Sequence, residues 1–283
     1  MKIKITCDSS ADLTKELYKE NNISVIPFSV TMGDQDYLDG INITAQDIFK
    51  YVAENKILPK TAAINEYQYE EFFKNEMKGY DALIHLSISG NISGTCAFAM
   101  KAANRIENCY VIDSLSLSSG LGIQVLYACE LVKKGLKPEE IVKKVNDRRS
   151  AVQISFATYK LDYLHKGGRC SSIQLLGANL LKIRPSIALK DGKMGMHKKY
   201  FGKMEKVVEK YMLDTLDEFN TPDKSFAFLT YSSATPEILE VARNVIKEKT
   251  QFKKVYESFA SSTVTAHCGE NTIGIIYYND GKN

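Results

Sequence analysis

The sequence predicts an α/β protein built as two α/β domains, and three observations carry that reading. From residue 2 to residue 150, short apolar runs alternate with stretches of helical periodicity. That order places strands and crossover helices into a largely parallel sheet with flanking helices. Beyond residue 151 the order changes to strand, glycine turn, helix and hairpin, as expected of a mixed sheet with helices. The length, 283 residues, exceeds the ~250 residues at which a single core usually stops growing. The polar stretch Asn146 to Ser150 supplies the boundary, giving domains of residues 1–150 and 151–283.

The elements follow from local pattern. Lys2 to Cys7 alternates as a strand, Asp8-Ser9-Ser10 turns the chain, and Ala11 to Glu20 reads as a helix. Ile23 to Met32 reads as one strand, turned by Gly33 to Asp36. Thr44 and Asp47 have the spacing of a capping box before a helix through Val52, and Asn65 can cap a helix ending at Met77. Ala82 to Leu86 is a short buried strand, Thr95 to Arg105 a helix, and Tyr110 to Asp113 a strand. A long apolar-faced helix through Gly120 and Gly122 to Lys134 and another from Pro138 to Arg149 complete the first domain. In the second, strand Gln153 to Tyr159 leads to a helix near Leu161, the turn Gly167-Gly168-Arg169 and a helix from Ser172 to Leu181. A hairpin at Asp191-Gly192, a charged helix Glu205 to Glu218, strand Phe226 to Tyr231, helix Pro236 to Glu248 and strands around Val255 and Ile273 close the chain.

Composition excludes several classes. With 44% hydrophobic and 25% charged residues the chain is ordinary globular protein, and disorder is not indicated. A net charge of +3, from 37 basic and 34 acidic residues spread along the chain, leaves no footprint for nucleic acid. The basic cluster Lys143, Lys144, Arg148 and Arg149 falls at helical spacing and reads as a solvated helix face. Six scattered cysteines without a C-x-x-C pair or a suitable histidine spacing give no metal site. The opening residues carry no signal-peptide stretch and no apolar run reaches transmembrane length, so a cytoplasmic setting without stable membrane insertion is expected. In that setting the sequons at Asn22, Asn42 and Asn91 carry no meaning.

The chemistry concentrates where strands end. In residues 83–100 an apolar run breaks into a hydroxyl- and glycine-rich turn and resumes as a helix, which aims Ser93, Thr95 and free N–H groups at one point. An anion would sit well there. The same Ser and Gly would also serve simply as a helix cap and tight turn. The turn reads Gly90-x-x-Ser93-Gly94, so it is neither a nucleophile elbow nor a phosphate loop with its lysine. Asp8 to Ser10, Ser87 to Ser93 and Asp113 to Ser119 all lie at carboxyl ends of strands, the edge at which parallel sheets bind ligands. His267, at the end of an alternating segment beside Gly269, can donate to an anion or be structural, whereas His85, His165 and His197 lack such a setting. Arg169 either steers a carboxylate or is an exposed residue after a glycine cap.

Taken in order, these segments resemble the DegV family over essentially the whole chain. The resemblance rests on Asp8-Ser9-Ser10-x-Asp12-Leu13, Ile26-Pro27-Phe28 with Val30, and Pro59-Lys60-Thr61. It continues through Ile88 to Thr95 with Ser93-Gly94-Thr95, Asp113-Ser114, Tyr163-Leu164-x-Lys166-Gly167-Gly168-Arg169, and Thr265-Ala266-His267-x-Gly269. It implies a bacterial, non-catalytic carrier that binds a long-chain fatty acid and presents it to a partner fatty-acid kinase for acyl-phosphate formation, feeding phospholipid synthesis. By that resemblance Thr61, Ser93 and His267 hold the carboxylate, with Gly94, Thr95, Arg169 and Thr265 in support. Ile26 and Phe28 would wall an apolar tunnel, with no other cofactor. Transient membrane contact is compatible with such a role. Two departures stand out: Ala62-Ala63-Ile64-Asn65 thins the polar lining after Thr61, and His197 to Lys203 keeps positive charge but no arginine. Arg and Lys are not interchangeable where bidentate contacts matter.

Burial of roughly a dozen methylenes at ~0.8 kcal/mol each lets the tail drive binding, while hydroxyl donors and a helix start keep the carboxylate from opposing it. The competing readings are a small-molecule enzyme or phosphotransfer protein using His267 and Ser93, and an interaction module whose lipid is structural.

Overall fold

In the computed structural model, residues 1–170 and 183–281 are described; the expected helix Ser172 to Leu181 lies outside the described residues. The first sheet is wholly parallel. It contains β1 (Ile3–Asp8), β2 (Ser24–Ile26), β6 (Ala82–Ser87) and β7 (Cys109–Asp113), in the order β2-β1-β6-β7. Every residue of β1 and β6 is buried, as expected where helices cover both faces of a parallel sheet. Between these strands lie helices α1 (Lys15–Glu20), α2 (Ala45–Asn55), α3 (Glu66–Glu76) and α4 (Thr95–Ala103). Capping boxes start two of them, Thr44 with Asp47 and Asn65 with Gln68.

The second sheet is mixed and six-stranded. Its order is β10-β9-β8-β13-β11-β12, from β8 (Val152–Ala157), β9 (Arg184–Lys190), β10 (Lys193–Tyr200), β11 (Ala227–Tyr231), β12 (Val255–Phe259) and β13 (Ile273–Tyr278). Only β11 and β12 run parallel. Asp191 and Gly192 turn the β9–β10 hairpin with φ of 50° and 75°, the left-handed pair that a tight hairpin needs. Helices α8 (Met204–Glu218) and α9 (Pro236–Lys249) pack on this sheet around Val208, Tyr211, Leu229 and Tyr277.

The two sheets share a helix. Helix α5 (Ser118–Lys133) is apolar nearly all round and touches β1 and β6 on one side and β8 and β13 on the other. Two glycines permit the approach: a Cβ on Gly122 would meet the Ala11 carbonyl at 2.5 Å, and one on Gly120 would meet Ile154 Cδ1 at 2.7 Å. One continuous core therefore runs from Ile5 and Leu83 through Leu121 to Ile154, Ile187 and Phe228. Truncating Leu121 to Ala would cost about 2–5 kcal/mol. Further ties cross between the halves at the hairpin tip, where Ser89 Oγ donates to Gly192 O at 2.8 Å and Asn91 Nδ2 to Asp191 O at 2.9 Å.

Several elements differ from the sequence reading. Asp12 takes φ of 50°, so Ser9–Ala11 is one 3-10 turn and the helix begins only at Lys15 behind its Thr14 cap. The single strand Ile23 to Met32 is two. Pro27, which has no N–H, separates β2 from β3 (Ser29–Met32), and β3 leaves for a three-stranded antiparallel sheet with β4 (Gln35–Leu38) and β5 (Lys60–Ala62). The segment before Gly269 is the helix α10 (Ser262–Cys268), capped by Ser261. Arg148, on α6 (Pro138–Arg148), is not solvated. Its guanidinium pairs with Asp280 at 2.8 Å and Asp223 at 2.5 Å and lies over the rings of Tyr278 and Tyr127.

Candidate functional site

The site grows from the carboxyl edge of the parallel sheet. Asp8 ends β1, fully buried, and accepts four hydrogen bonds. Oδ1 receives Tyr69 OH at 2.5 Å and His85 Nε2 at 3.1 Å, and Oδ2 receives Ser87 Oγ and Ile88 N, each at 2.8 Å. Those four bonds fill the carboxylate's lone-pair directions and fix the start of the turn at residues 88–94. Asp113, ending β7, takes Gly90 N and Leu115 N and fixes its middle. At the end of the turn Ser93 Oγ accepts from Thr95 N at 3.3 Å, which leaves its own O–H free to donate among the described residues.

Thr61 arrives from a different sheet. It sits on the edge strand β5, opposite Val30, and its Oγ1 lies 2.8 Å from Nε2 of His267. His267 occupies the last turn of α10, whose first turn is gripped by two buried carboxylates from the N-terminal half. Asp12 Oδ1 accepts from Ser261 N at 2.9 Å, and Asp39 Oδ1 accepts from Ser262 N at 2.8 Å. Ser118 and Ser9 donate to their other oxygens. Negative charge at a helix start is favourable, yet burial dominates at Asp12 and pushes its pKa up to about 7 against the lowering effect of the Ser118 and Ser261 bonds.

The imidazole of His267 is held neutral. Burial, and then the positive charge of Arg169, push its pKa down to about 4. Nδ1 has no partner among the described residues, so the economical tautomer carries its proton on Nε2, toward Thr61. The ring packs against the backbone of Gly167, at the end of α7 (Asp162–Gly167): a Cβ there would stand 2.5 Å from Nδ1. Arg169 Nη1 folds back onto Gly167 O at 2.6 Å.

Thr61, Ser93, Gly94, Arg169 and His267 line one cavity of about 200 Å³ between the two sheets, far larger than a void in a packed core. Phe28, Ile88, Ile154, Phe156 and Met194 give it apolar walls. Several hydroxyls border it too, and these have hydrogen-bond partners within the protein. Thr230 bonds Ser119 and Ser258, Ser155 bonds Tyr211, and Ser232 bonds the Gly269 carbonyl. Satisfied in this way, they leave no unmet hydrogen bond beside an apolar chain. The arrangement can hold one anionic group at the polar end and an apolar chain beyond it.

Of the residues singled out in the sequence, Thr95, Thr265 and Ile26 stand outside the lining. Thr95 is fully buried and bonds both backbone groups of Ile64. Thr265 Oγ1 donates to Ala260 O at 3.3 Å, and Ile26 belongs to the core beneath. Sequence reasoning missed Leu117, Leu164, Val264 and Thr263, which line the cavity. No local signal marks them, because each reads as ordinary core of its own segment. Among the described residues no helix is long and apolar enough to cross a membrane, and no group of three or more side chains could hold a metal.

Comparison with known proteins gives a consistent answer. A family model described as an uncharacterised protein of the DegV family matches residues 2–280. A DegV domain-containing protein of Staphylococcus aureus (strain COL) is 31% identical over 277 residues, covering 96% of this chain and 97% of that protein. One from Clostridium acetobutylicum is 31% identical over 278 residues, 98% of each. Among solved structures, a DegV family protein from Thermus thermophilus described by its fatty-acid binding superposes with a TM-score of 0.91 at 25% identity, covering 98% of this chain and 99% of its own. DegV of Bacillus subtilis, described as a fatty-acid-binding protein, superposes with a TM-score of 0.86 at 25% identity over 98% and 99%.

Proposed function

This chain belongs to the DegV family, and on that premise we propose that it binds a long-chain fatty acid whose carboxylate is held by Thr61, Ser93 and His267. The observation that carries the reading is the meeting of Thr61 Oγ1 and His267 Nε2, 2.8 Å apart, with the free Ser93 hydroxyl at the polar end of an otherwise apolar cavity. The Thr61 and Ser93 hydroxyls are two neutral donors that suit a carboxylate whose tail supplies the binding energy, and His267 Nε2–H, donating to Thr61 Oγ1, leaves the Thr61 proton to the ligand. They offset the several kcal/mol that a dry, unpaired charge would cost, with neutral His267 holding Thr61 in place. The fatty acids bound by similarly folded family members support the same ligand class here. In this reading residues 1–150 supply the carboxylate turns and residues 151–283 complete the pocket.

The chain acts as a carrier. Its head-group end lies beside exposed Arg169, while the tail is enclosed, so a separate kinase can reach the carboxylate and form an acyl phosphate. Exposed Lys199 and Lys203 would join Arg169 in docking it, since His197 and Lys198 are already engaged by Glu218 at 2.9 and 3.1 Å. Native mass spectrometry of the purified protein, followed by denaturing extraction, tests the ligand: one fatty acid per chain is expected. A ligand-free protein that takes up no added fatty acid would overturn the reading.

A further inference from the structure

The turn that carries Ser93 is not held by its own half of the molecule alone. Its hub is Ser89, which is fully buried. The Ser89 amide donates to Ser116 O at 2.8 Å, and its carbonyl accepts from Ile92 N at 2.9 Å and from Ser93 N at 3.1 Å. Its Oγ accepts from Asn91 N at 3.2 Å and donates to Gly192 O at 2.8 Å, at the tip of the β9–β10 hairpin. Asn91 Nδ2 adds a second bond to that tip, on Asp191 O. Asp8 and Asp113 hold Ile88 N and Gly90 N from the first half, so residues 89 and 91 are the ones the second half grips.

The fit at the tip leaves no slack. A Cβ on Gly192 would stand 2.4 Å from Ser89 Oγ and 3.1 Å from both Asn91 Nδ2 and Leu115 Cδ2. No side chain comes between hairpin and turn at that point. Because the Ser93 amide is bonded to the Ser89 carbonyl, a shift of residue 89 passes directly to Ser93. A binding group has to stay within about 0.5 Å of its productive geometry, held by partners that are themselves locked, and a hydrogen bond weakens steeply once its angle is lost.

Resting on the carboxylate reading above, we infer that the hairpin tip is the clamp that positions Ser93, with Ser89 and Asn91 as its positioning residues. The second half thus reaches the head-group end twice, through His267 on α10 and through the hairpin. Neither Ser89 nor Asn91 lines the cavity, so both act through the turn.

A double-mutant cycle on the delipidated full chain, read as dissociation of tetradecanoic acid, tests this. Ser93→Ala and Ser89→Ala are each expected to weaken binding about fivefold, the worth of one hydrogen bond. The double variant should bind no worse than Ser93→Ala alone, because Ser89 acts through the Ser93 hydroxyl. Asn91→Ala, at an exposed position, repeats the cycle without disturbing a buried group; its expected loss of about twofold also vanishes in the Ser93→Ala background. Losses that multiply to about 25-fold in the Ser89→Ala, Ser93→Ala double variant, or wild-type affinity in both Ser89→Ala and Asn91→Ala, would overturn the clamp and leave the carboxylate site standing. Wild-type affinity in Ser93→Ala would overturn both.

Discussion

Two histidines, fully buried His85 and half-buried His267, differ in how their rings are engaged. His85, inside β6, has both ring nitrogens engaged, Nδ1 with Thr6 Oγ1 at 2.9 Å and Nε2 with Asp8 at 3.1 Å. His267 has one nitrogen on Thr61 and the other without a partner among the described residues. A closed network rigidifies and specifies a core, while a partly satisfied one carries a standing cost. The first histidine builds the platform from which residues 88–94 spring. The second holds Thr61 at the cavity wall.

Breaking the closed network should have the largest effect. Asp8→Ala strands Tyr69, His85, Ser87 and the Ile88 amide at once, and a loss of about 3–5 kcal/mol in urea-induced unfolding is expected. A loss below 1 kcal/mol would mean that the network is not the platform described.

The open site should reveal itself through pH. Below pH 6.5 the unfolded chain protonates this histidine, while folded His267 stays neutral until about pH 4, so the unfolded state binds more protons and stability falls as pH drops through that window. Asp12 acts in the opposite sense. Its folded carboxyl keeps its proton up to about pH 7, and the stability it contributes is lost as pH rises from about 4 to 7. Comparing His267→Asn with the wild type isolates the first effect: the variant should lose about 2–3 kcal/mol less between pH 6.5 and 4. Parallel profiles would place the proton elsewhere.

Gly167→Ala sharpens the contrast further, because the new methyl would displace the His267 ring but touch nothing of His85. Fatty-acid affinity should fall by about 1–3 kcal/mol, read as faster dissociation of a bound fluorescent acid, with the unfolding midpoint little changed. The smallest effects belong to the donors. Ser93→Ala and Thr61→Ala should each weaken acyl-chain retention by about 1 kcal/mol without abolishing folding. Unchanged lipid content in both purified variants would count against the carboxylate site.

The parallel sheet was legible because its strands are short apolar or alternating runs and two of its helices announce themselves through Thr44 with Asp47 and through Asn65. The three-stranded sheet was not. Its members are three or four residues long, and Gln35–Leu38 is mostly exposed, so neither length nor alternation marks them. Helix α10 was misread because Thr263, Val264 and Thr265 are β-branched residues that favour strands; tertiary anchoring of its first turn by Asp12 and Asp39 overrides that preference. Family resemblance singled out Thr61, Ser93 and His267, which the fold brings to one cavity, while Leu117, Leu164 and Val264 needed the structure because each reads as core of its own segment.

That anchoring also sets a timetable for synthesis. The bonds from Ser261 to Asp12 and from Ser262 to Asp39 span 249 and 223 residues, so the grip on α10 closes contacts of very high sequence separation, which form late. As the chain leaves the ribosome, the parallel sheet can assemble while His267 is still inside the exit tunnel. Nascent chains in which α10 has not yet emerged therefore carry the turn but not the completed cavity.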